Sequence, residues 1–313
     1  MPDEPLNTPI EITAAQAETL AQLWLGERVR CTGLASLTGG CCYTVMEISF
    51  DHPRPPVVIK ASHTPGDDGL ELQFKTLLFF KQHTAFPMPE PFHCDLSCSR
   101  LPFAFIIMER LPGVNLGEAS AWMTPGDRLR VERRIAEAVA ELHDHTGGHF
   151  GSIHSPTGVA RWADHFAPKL EENYEDNRKL GLVSARGLDR VRRLLGELDS
   201  LLDVPGPPTL IHGDIWATNI IVSGGPGSTS LGGFVDGGGN YAHAEYELAY
   251  LEIWHTIGRE FFNVYHRRHP PLDGYDLRKR IYWLNTLLTH VWLFKSQNYI
   301  DAAERLISQM PEC

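Results

Sequence analysis

The chain has 313 residues, of which 42% are hydrophobic and 21% charged, as in an ordinary globular protein. Its net charge of −11 leaves no basic stripe that could displace counterions from a phosphate backbone, which argues against nucleic acid as a partner. No stretch approaches the roughly 20 apolar residues of a membrane span, and the acidic N-terminus lacks a signal-peptide pattern. We expect a cytoplasmic protein with no membrane partner, a monomer or weak homodimer, with two lobes.

The first third of the chain predicts a small, sheet-rich lobe over residues 1–110. Apolar spacing predicts a helix over 12–25, and strand character follows on both sides of a glycine pair. A hairpin then ends in a strand over 57–60, and a helix over 70–83 precedes an apolar strand over 103–108.

The remaining residues, 111–313, predict a larger and mainly helical lobe. Apolar residues recur at helical spacing over three segments (128–143, 164–180 and 188–202) and again through most of 245–299. Three short apolar runs between these helices, 209–211, 220–222 and 231–235, are typical of strands. The predicted fold class is therefore α+β, with a small antiparallel-sheet lobe followed by a helical one.

Three polar side chains follow these short strands: Asp214, Asn219 and Asp236. An aspartate followed five residues later by asparagine repeats the spacing of the kinase catalytic loop. Asp214 can take a hydroxyl proton, while Asn219 and Asp236 offer hard oxygen ligands for the magnesium ions that bridge nucleotide phosphates. A hairpin formed by the last two strands would bring Asp236 back beside Asn219. The alternative interpretation is a pair of polar turns.

Two features of the first lobe predict a nucleotide site. The glycine pair Gly39 and Gly40 would let the backbone approach phosphates, although a two-glycine hairpin turn is the competing interpretation. Lys60 lies on the strand after that loop, where an ammonium can reach the α- and β-phosphates, unless it is an edge-strand lysine whose charge reaches solvent. The adjacent Cys41 and Cys42 are either oxidation-sensitive thiols that could block ATP or two inert side chains.

The motif over 212–219, Asp236 and the run over 241–249 resemble the fructosamine/ketosamine-3-kinase family. That family belongs to a superfamily of kinase-fold phosphotransferases that includes aminoglycoside and choline kinases. The resemblance implies a two-lobed protein-kinase-like fold, with ATP and Mg²⁺ as cofactors. It further implies the following roles: Asp214 as catalytic base, Asn219 and Asp236 as magnesium ligands, Lys60 as phosphate partner, and Met108, Glu109 and Leu111 at the adenine hinge.

The acceptor side of the site is less defined by the resemblance. Trp216, His290 and Tyr299 are implied to contact the sugar, with packing in the core as the alternative. The helical glutamate that pairs the lysine is replaced, since the best-spaced position holds Gln73 and the nearby acid is Glu71.

The motif predicts transfer of the γ-phosphoryl group of ATP to a hydroxyl. The resemblance implies that this hydroxyl belongs to a sugar–amine adduct, a small molecule or glycated amine of the fructosamine type. Three alternative acceptors stay open: an aminoglycoside, a choline-like alcohol or another metabolite. A nucleotide-binding protein without turnover is a further alternative.

Overall fold

The computed structural model describes residues 8–37 and 43–311, which separate into two compact units. Unit 1 runs to Asp127 and resumes over Thr218–Gly237, whereas unit 2 comprises Arg128–Ala217 and the chain from Gly238 onward. Residues 111–127 and 218–237 thus group with the N-terminal part of the chain, although the sequence had placed them in a lobe beginning at residue 111.

The structure contains both helices and strands, as an α+β fold requires. The strands of the described residues are β1 (Cys31–Ser36), β2 (Thr44–Phe50), β3 (Val57–Ser62), β4 (Pro91–Asp95), β5 (Ala104–Glu109), β6 (Val114–Asn115), β7 (Gly151–Ser152), β8 (Thr209–Ile211), β9 (Ile220–Ser223), β10 (Ser230–Phe234) and β11 (Asn240–Ala242). The α-helices are α1 (Ala14–Leu25), α2 (Asp68–His83), α3 (Leu116–Ala119), α4 (Pro125–Leu142), α5 (Trp162–Leu180), α6 (Ala185–Leu201), α7 (Ala244–Ile253), α8 (Arg259–Tyr265), α9 (Tyr275–Phe294) and α10 (Gln297–Gln309).

Unit 1 is built on a five-stranded antiparallel sheet in the order β1-β2-β3-β5-β4. The central strand β3 is buried over its whole length, as expected for a run of β-branched residues with sheet neighbours on both sides. Helix α1 begins with a capping box between Thr13 and Gln16, and α2 begins with the side chain of Asp67 accepting from the N–H of Leu70.

A second, smaller sheet explains why residues 218–237 belong to unit 1. Strands β9 and β10 form an antiparallel hairpin, and β9 also pairs with β6. Phe234 at the end of β10 stacks on Phe86 with 4.4 Å between ring centroids, and its N–H donates to the carbonyl of Pro87 at 2.8 Å. Long-range pairing and aromatic packing of this kind cannot be seen in the local pattern from which the boundary at residue 110 was predicted.

Unit 2 is mainly helical, as predicted. Its core is formed largely by α5, α6, α9 and α10, with Trp162 among the buried side chains and its indole N–H donating to Tyr282 at 3.0 Å. A three-stranded sheet in the order β7-β11-β8 lies in the same unit. No helix within residues 8–37 and 43–311 is long and apolar enough to cross a membrane.

Candidate active site

A cavity in unit 1 brings together the described residues that the sequence assigned to nucleotide and metal. Its lining includes Lys60, Met108, Glu109, Leu111, Asn219 and Asp236. Apolar side chains of the five-stranded sheet and of the β9–β10 hairpin form its walls: Leu37, Val45, Val58, Ile221 and Val235. Walls of this kind suit a planar base, with a few polar groups to fix its orientation.

Lys60 is the buried cation of this cavity. It lies on β3, with 6% of its surface exposed, opposite Ile106 of β5. Its ammonium forms an ion pair with Asp236 and donates to the side-chain oxygen of Gln73 at 3.0 Å. Glu71 instead pairs with Lys75 on the same helix, so the helical partner of Lys60 is Gln73.

The β9–β10 hairpin places Asp236 beside Asn219, as the sequence predicted. The N–H of Val235 donates to the carbonyl of Asn219 at 2.9 Å, just before the chain reaches Asp236. Asp236 has a φ of +65°, a left-handed conformation that is uncommon for a residue with a side chain. Such strain persists where surrounding structure holds it and is concentrated at functional sites.

The segment after β5 contributes to the lining of the cavity. The N–H of Glu109 donates to the carbonyl of Glu90 at 2.8 Å. The guanidinium of Arg110 donates to Glu47 at 2.7 Å and to the carbonyl of Gly113 at 3.0 Å. At Gly113 a side chain would meet the carbonyl oxygen of Val222 at 2.0 Å, so only glycine allows β9 to approach. These contacts fix the backbone predicted to face adenine.

The glycine pair predicted to contact phosphates, Gly39 and Gly40, lies outside the described residues, as do Cys41 and Cys42. The roles predicted for these four residues stay predictions.

Asp214 lies in unit 2, in the loop that follows β8. Gly213 before it has a φ of +89°, and the carbonyl of the fully buried His212 accepts the N–H of Gly238 at 2.9 Å. The phenol of Tyr250 on α7 donates to Oδ1 of Asp214 at 2.5 Å. The loop is therefore fixed both through its backbone and through the carboxylate itself.

Glu247, also on α7, fixes the backbone of this loop. Its carboxylate accepts the N–H of Gly213 at 2.6 Å and that of His212 at 3.2 Å, and it also contacts Nε2 of the buried His143 at 3.0 Å. Burial would raise the pKa of Glu247, but its hydrogen bonds and nearby imidazoles hold that pKa below its ordinary value. The buried group is thus an ionised acceptor for two backbone donors.

Two of the three residues predicted on the acceptor side lie together in unit 2. His290 on α9 and Tyr299 on α10 have ring centroids 4.9 Å apart. Trp254, which the sequence analysis did not single out, lies at the same distance of 4.9 Å from His290. Trp216 is half-buried, two residues after Asp214. These positions are compatible with acceptor contacts and with packing alike.

Sequence reasoning assigned no role to Glu247, although it lies in the run over 241–249 that carries the family resemblance. It also assigned none to Tyr250, which lies in a mostly apolar helical stretch. A buried acid and a tyrosine three positions apart on one helix were the available signal, since such residues share a face.

The residues lining the unit 1 cavity fit ATP and a hard divalent cation. A buried ammonium suits phosphate oxygens, and the carboxylate of Asp236 with the amide oxygen of Asn219 provides donors that Mg²⁺ prefers. Five antiparallel strands, a mainly helical second unit and this set of side chains define the class of kinase-like phosphotransferases.

Comparison with known proteins identifies the family. A model of the family described as fructosamine kinase matches residues 13–312, and the chain therefore belongs to the fructosamine kinase family. The chloroplastic protein-ribulosamine 3-kinase of Oryza sativa subsp. japonica is 26% identical over 318 residues, covering 95% of this chain and 85% of the relative. The family, the kinase class of enzyme and the fold class predicted from the sequence are confirmed.

Solved structures agree on the fold. A Thermobifida fusca protein that carries the name fructosamine-3-kinase superposes with a TM-score of 0.75 at 19% identity, covering 95% of this chain and 98% of that one. A thermostable mutant of aminoglycoside phosphotransferase APH(4)-Ia, in a ternary complex with ADP and hygromycin B, gives a TM-score of 0.64 at 19% identity. It covers 92% of this chain and 95% of its own.

Proposed function

We propose that this protein transfers the γ-phosphoryl group of ATP to a hydroxyl of a ketosamine, the adduct of a sugar with an amine. The observation that carries the proposal is the unit 1 cavity, where a buried lysine, an asparagine and an aspartate share one lining with apolar walls. Membership of the fructosamine kinase family and the name of the rice relative support the ketosamine as acceptor.

The nucleotide half of the mechanism rests on unit 1. Asn219 and Asp236 would hold Mg²⁺, which when bound neutralises charge on the phosphates. Lys60 would turn its ammonium from Asp236 towards the α- and β-phosphates. Met108, Glu109 and Leu111 would contact the adenine, with Arg110 keeping their backbone in place.

The transfer itself would use Asp214 as the base. As the acceptor oxygen bonds to the γ-phosphorus, the bond from that phosphorus to the bridging oxygen breaks and ADP leaves. The proton of the acceptor hydroxyl passes to the carboxylate of Asp214. Proton transfer to a positioned base contributes roughly 10²–10⁴-fold, with positioning and electrostatics supplying the rest.

The acceptor would be recognised from unit 2. His290, Tyr299 and Trp216 offer ring faces and polar edges, which suit a sugar with an attached amine. The net charge of −11 also favours a cationic acceptor over an anionic one. A cytoplasmic location and a monomer or weak homodimer stay predictions of the sequence.

An aminoglycoside is the principal alternative acceptor, since APH(4)-Ia shares the fold. That likeness concerns the fold alone. No side chain described in this chain favours an aminoglycoside over a ketosamine, so we keep it as a competing outcome of the assay.

A panel of acceptors tests the proposal. ADP release would be followed with fructosyl-lysine, ribulosyl-lysine, hygromycin B, choline and water alone, each with ATP and Mg²⁺. We expect kcat/KM to be highest for a ketosamine by at least about tenfold, because one lost hydrogen bond in a polar site already costs that much. Faster turnover of hygromycin B or choline would contradict the proposed acceptor, and ADP release indifferent to every acceptor would contradict the kinase assignment.

A further inference from the structure

We propose that Tyr250 is a positioning residue that sets the orientation and the proton affinity of Asp214. The proposal rests on the proposed function, in which Asp214 is the base. It concerns only side chains of unit 2 and goes beyond the roles that the family resemblance implies for this chain.

The geometry is a two-point attachment of the loop to one face of α7. Glu247 and Tyr250 lie three positions apart on this helix, so their side chains project from the same face. Glu247 accepts the backbone N–H of Gly213 at 2.6 Å, and Tyr250 donates to Oδ1 of Asp214 at 2.5 Å. The first contact fixes the backbone before Asp214, and the second fixes its carboxylate.

Tyr250 acts as a donor throughout the working pH range. Burial, followed by the charge of Asp214 and the hydrogen bond to it, raises the pKa of the phenol well above its ordinary value. The phenol therefore keeps its proton. A donor held against a carboxylate favours the ionised form and lowers the proton affinity of the acid.

Other titratable groups of unit 2 face Asp214 and Tyr250, and these groups also influence the titration of Asp214. On α7 these are Tyr246, whose pKa burial also raises, and Glu247. His212 in the loop accepts the N–H of Asp214 through Nδ1 at 3.3 Å, and His290 on α9 lies behind Trp254, which contacts the ring of Tyr250. Tyr250 is the phenol that meets Oδ1 of Asp214 directly.

The functional consequence is that Asp214 stays ionised and that its carboxylate keeps one orientation. Without the donor, Asp214 would bind a proton at a higher pH and would sample other side-chain rotamers. The first effect moves the acid limb of the pH–rate profile, and the second lowers kcat. Neither effect concerns nucleotide binding, which the proposed function assigns to unit 1.

The test removes one oxygen atom from Tyr250. In full-length Tyr250→Phe labelled with ¹³C at aspartate carboxyls, we expect the pKa of Asp214 to rise by about one unit. The signal is assigned by its loss in Asp214→Asn. We also expect kcat to fall by about threefold to thirtyfold, with the KM for ATP unchanged. Tyr275→Phe is the matched control, because its phenol donates to another carboxylate, Glu252, at 2.6 Å.

The NMR titration keeps this test separate from the proposed function, because it needs no turnover. A shifted Asp214 titration in a protein that phosphorylates no acceptor would support the role of Tyr250 and overturn the proposed reaction. An Asp214 pKa and a pH–rate profile that match those of wild type and of Tyr275→Phe would overturn the role of Tyr250.

A second variant covers the case in which Tyr250→Phe does not fold. Incorporation of 3-fluorotyrosine at position 250 keeps the shape and makes the phenol a stronger donor. The pKa of Asp214 should then fall below its wild-type value. An unchanged or raised Asp214 pKa would overturn the proposal.

Discussion

Lys60 is held in unit 1 by one carboxylate and one amide, which distinguishes its surroundings from those of a lysine paired with a helical glutamate. Gln73 accepts from its ammonium at 3.0 Å but carries no charge. Asp236 is the acidic group that pairs with it. We therefore expect a metal ion bound by Asp236 to compete with Lys60 for the charge of this carboxylate.

This competition predicts the effect of Gln73→Glu. A second carboxylate beside Lys60 would also pair with its ammonium and so weaken the ion pair between Lys60 and Asp236. Asp236 would then bind Mg²⁺ more readily, and the Mg²⁺ concentration at half-maximal velocity should fall. We expect a decrease of about threefold to tenfold, which corresponds to a partly buried ion pair of about 1 kcal/mol. Velocity measured against Mg²⁺ at saturating ATP provides the value.

Gln82→Glu is the matched control for this variant, since it adds the same charge to the exposed side of the same helix. If both variants lowered the Mg²⁺ concentration at half-maximal velocity equally, the added negative charge alone, and not the pairing of Lys60, would explain the change.

The β9–β10 hairpin is the element that carries Asn219 and Asp236, and its turn is anchored by the buried Asp127. One oxygen of Asp127 accepts the N–H of Gly227 at 2.7 Å and the hydroxyl of Thr124 at 2.7 Å. The other accepts the N–H of Thr229 at 3.1 Å. The hydrogen bond from Thr124, followed by that from Gly227, holds the pKa of Asp127 well below its ordinary value.

Asp127→Asn should destabilise the protein although it keeps the shape of the side chain. Both oxygens accept from donors, so the amide NH₂ must face an N–H or O–H whichever way it is turned. Since the folded pKa is depressed, the carboxylate contributes stability above the unfolded value of about 4, and this contribution is lost as the pH falls below it. Urea unfolding should show a deficit that is nearly constant from about pH 7 to about pH 5 and that shrinks as the pH falls below about 4.

Asp189→Asn supplies the comparison, because Asp189 is 61% exposed and pairs with Arg192 three positions along its helix. Its stability should match wild type over the same pH range. A deficit of Asp127→Asn that stays constant as the pH falls below about 4 would show that the charge of Asp127 contributes nothing.

Strong local patterns allowed the sequence to predict several helices and strands closely. The helix predicted over 70–83 is Asp68–His83, and the strand runs at 209–211, 220–222 and 231–235 correspond to β8, β9 and β10. Periodic apolar residues and glycine-rich turns are local signals, and they also placed Asp236 beside Asn219.

Long-range partners could not be predicted in this way. Strand β11 has three residues directly after a glycine triplet, and its pairing with β8 makes it a strand. Asp127 was missed because its acceptor role depends on a turn 100 residues later in the chain. Tyr250 was missed because the pattern of α7 shows which residues share a face but not that this face meets Asp214.

At the scale of the whole molecule, the proposed function gives the two units different tasks. In that proposal, unit 1 would hold the nucleotide and metal through Lys60, Asn219 and Asp236, and unit 2 would supply the base, Asp214. Loss of the base should therefore stop transfer without affecting ATP binding.

Asp214→Asn tests this central claim most directly, with turnover of fructosyl-lysine and calorimetric binding of Mg-ATP measured on the same preparation. We predict that kcat falls by roughly 10²–10⁴-fold while the Kd for Mg-ATP changes by less than about twofold. A variant that turns over at the wild-type rate, or one whose loss of activity is matched by loss of nucleotide binding, would contradict the account.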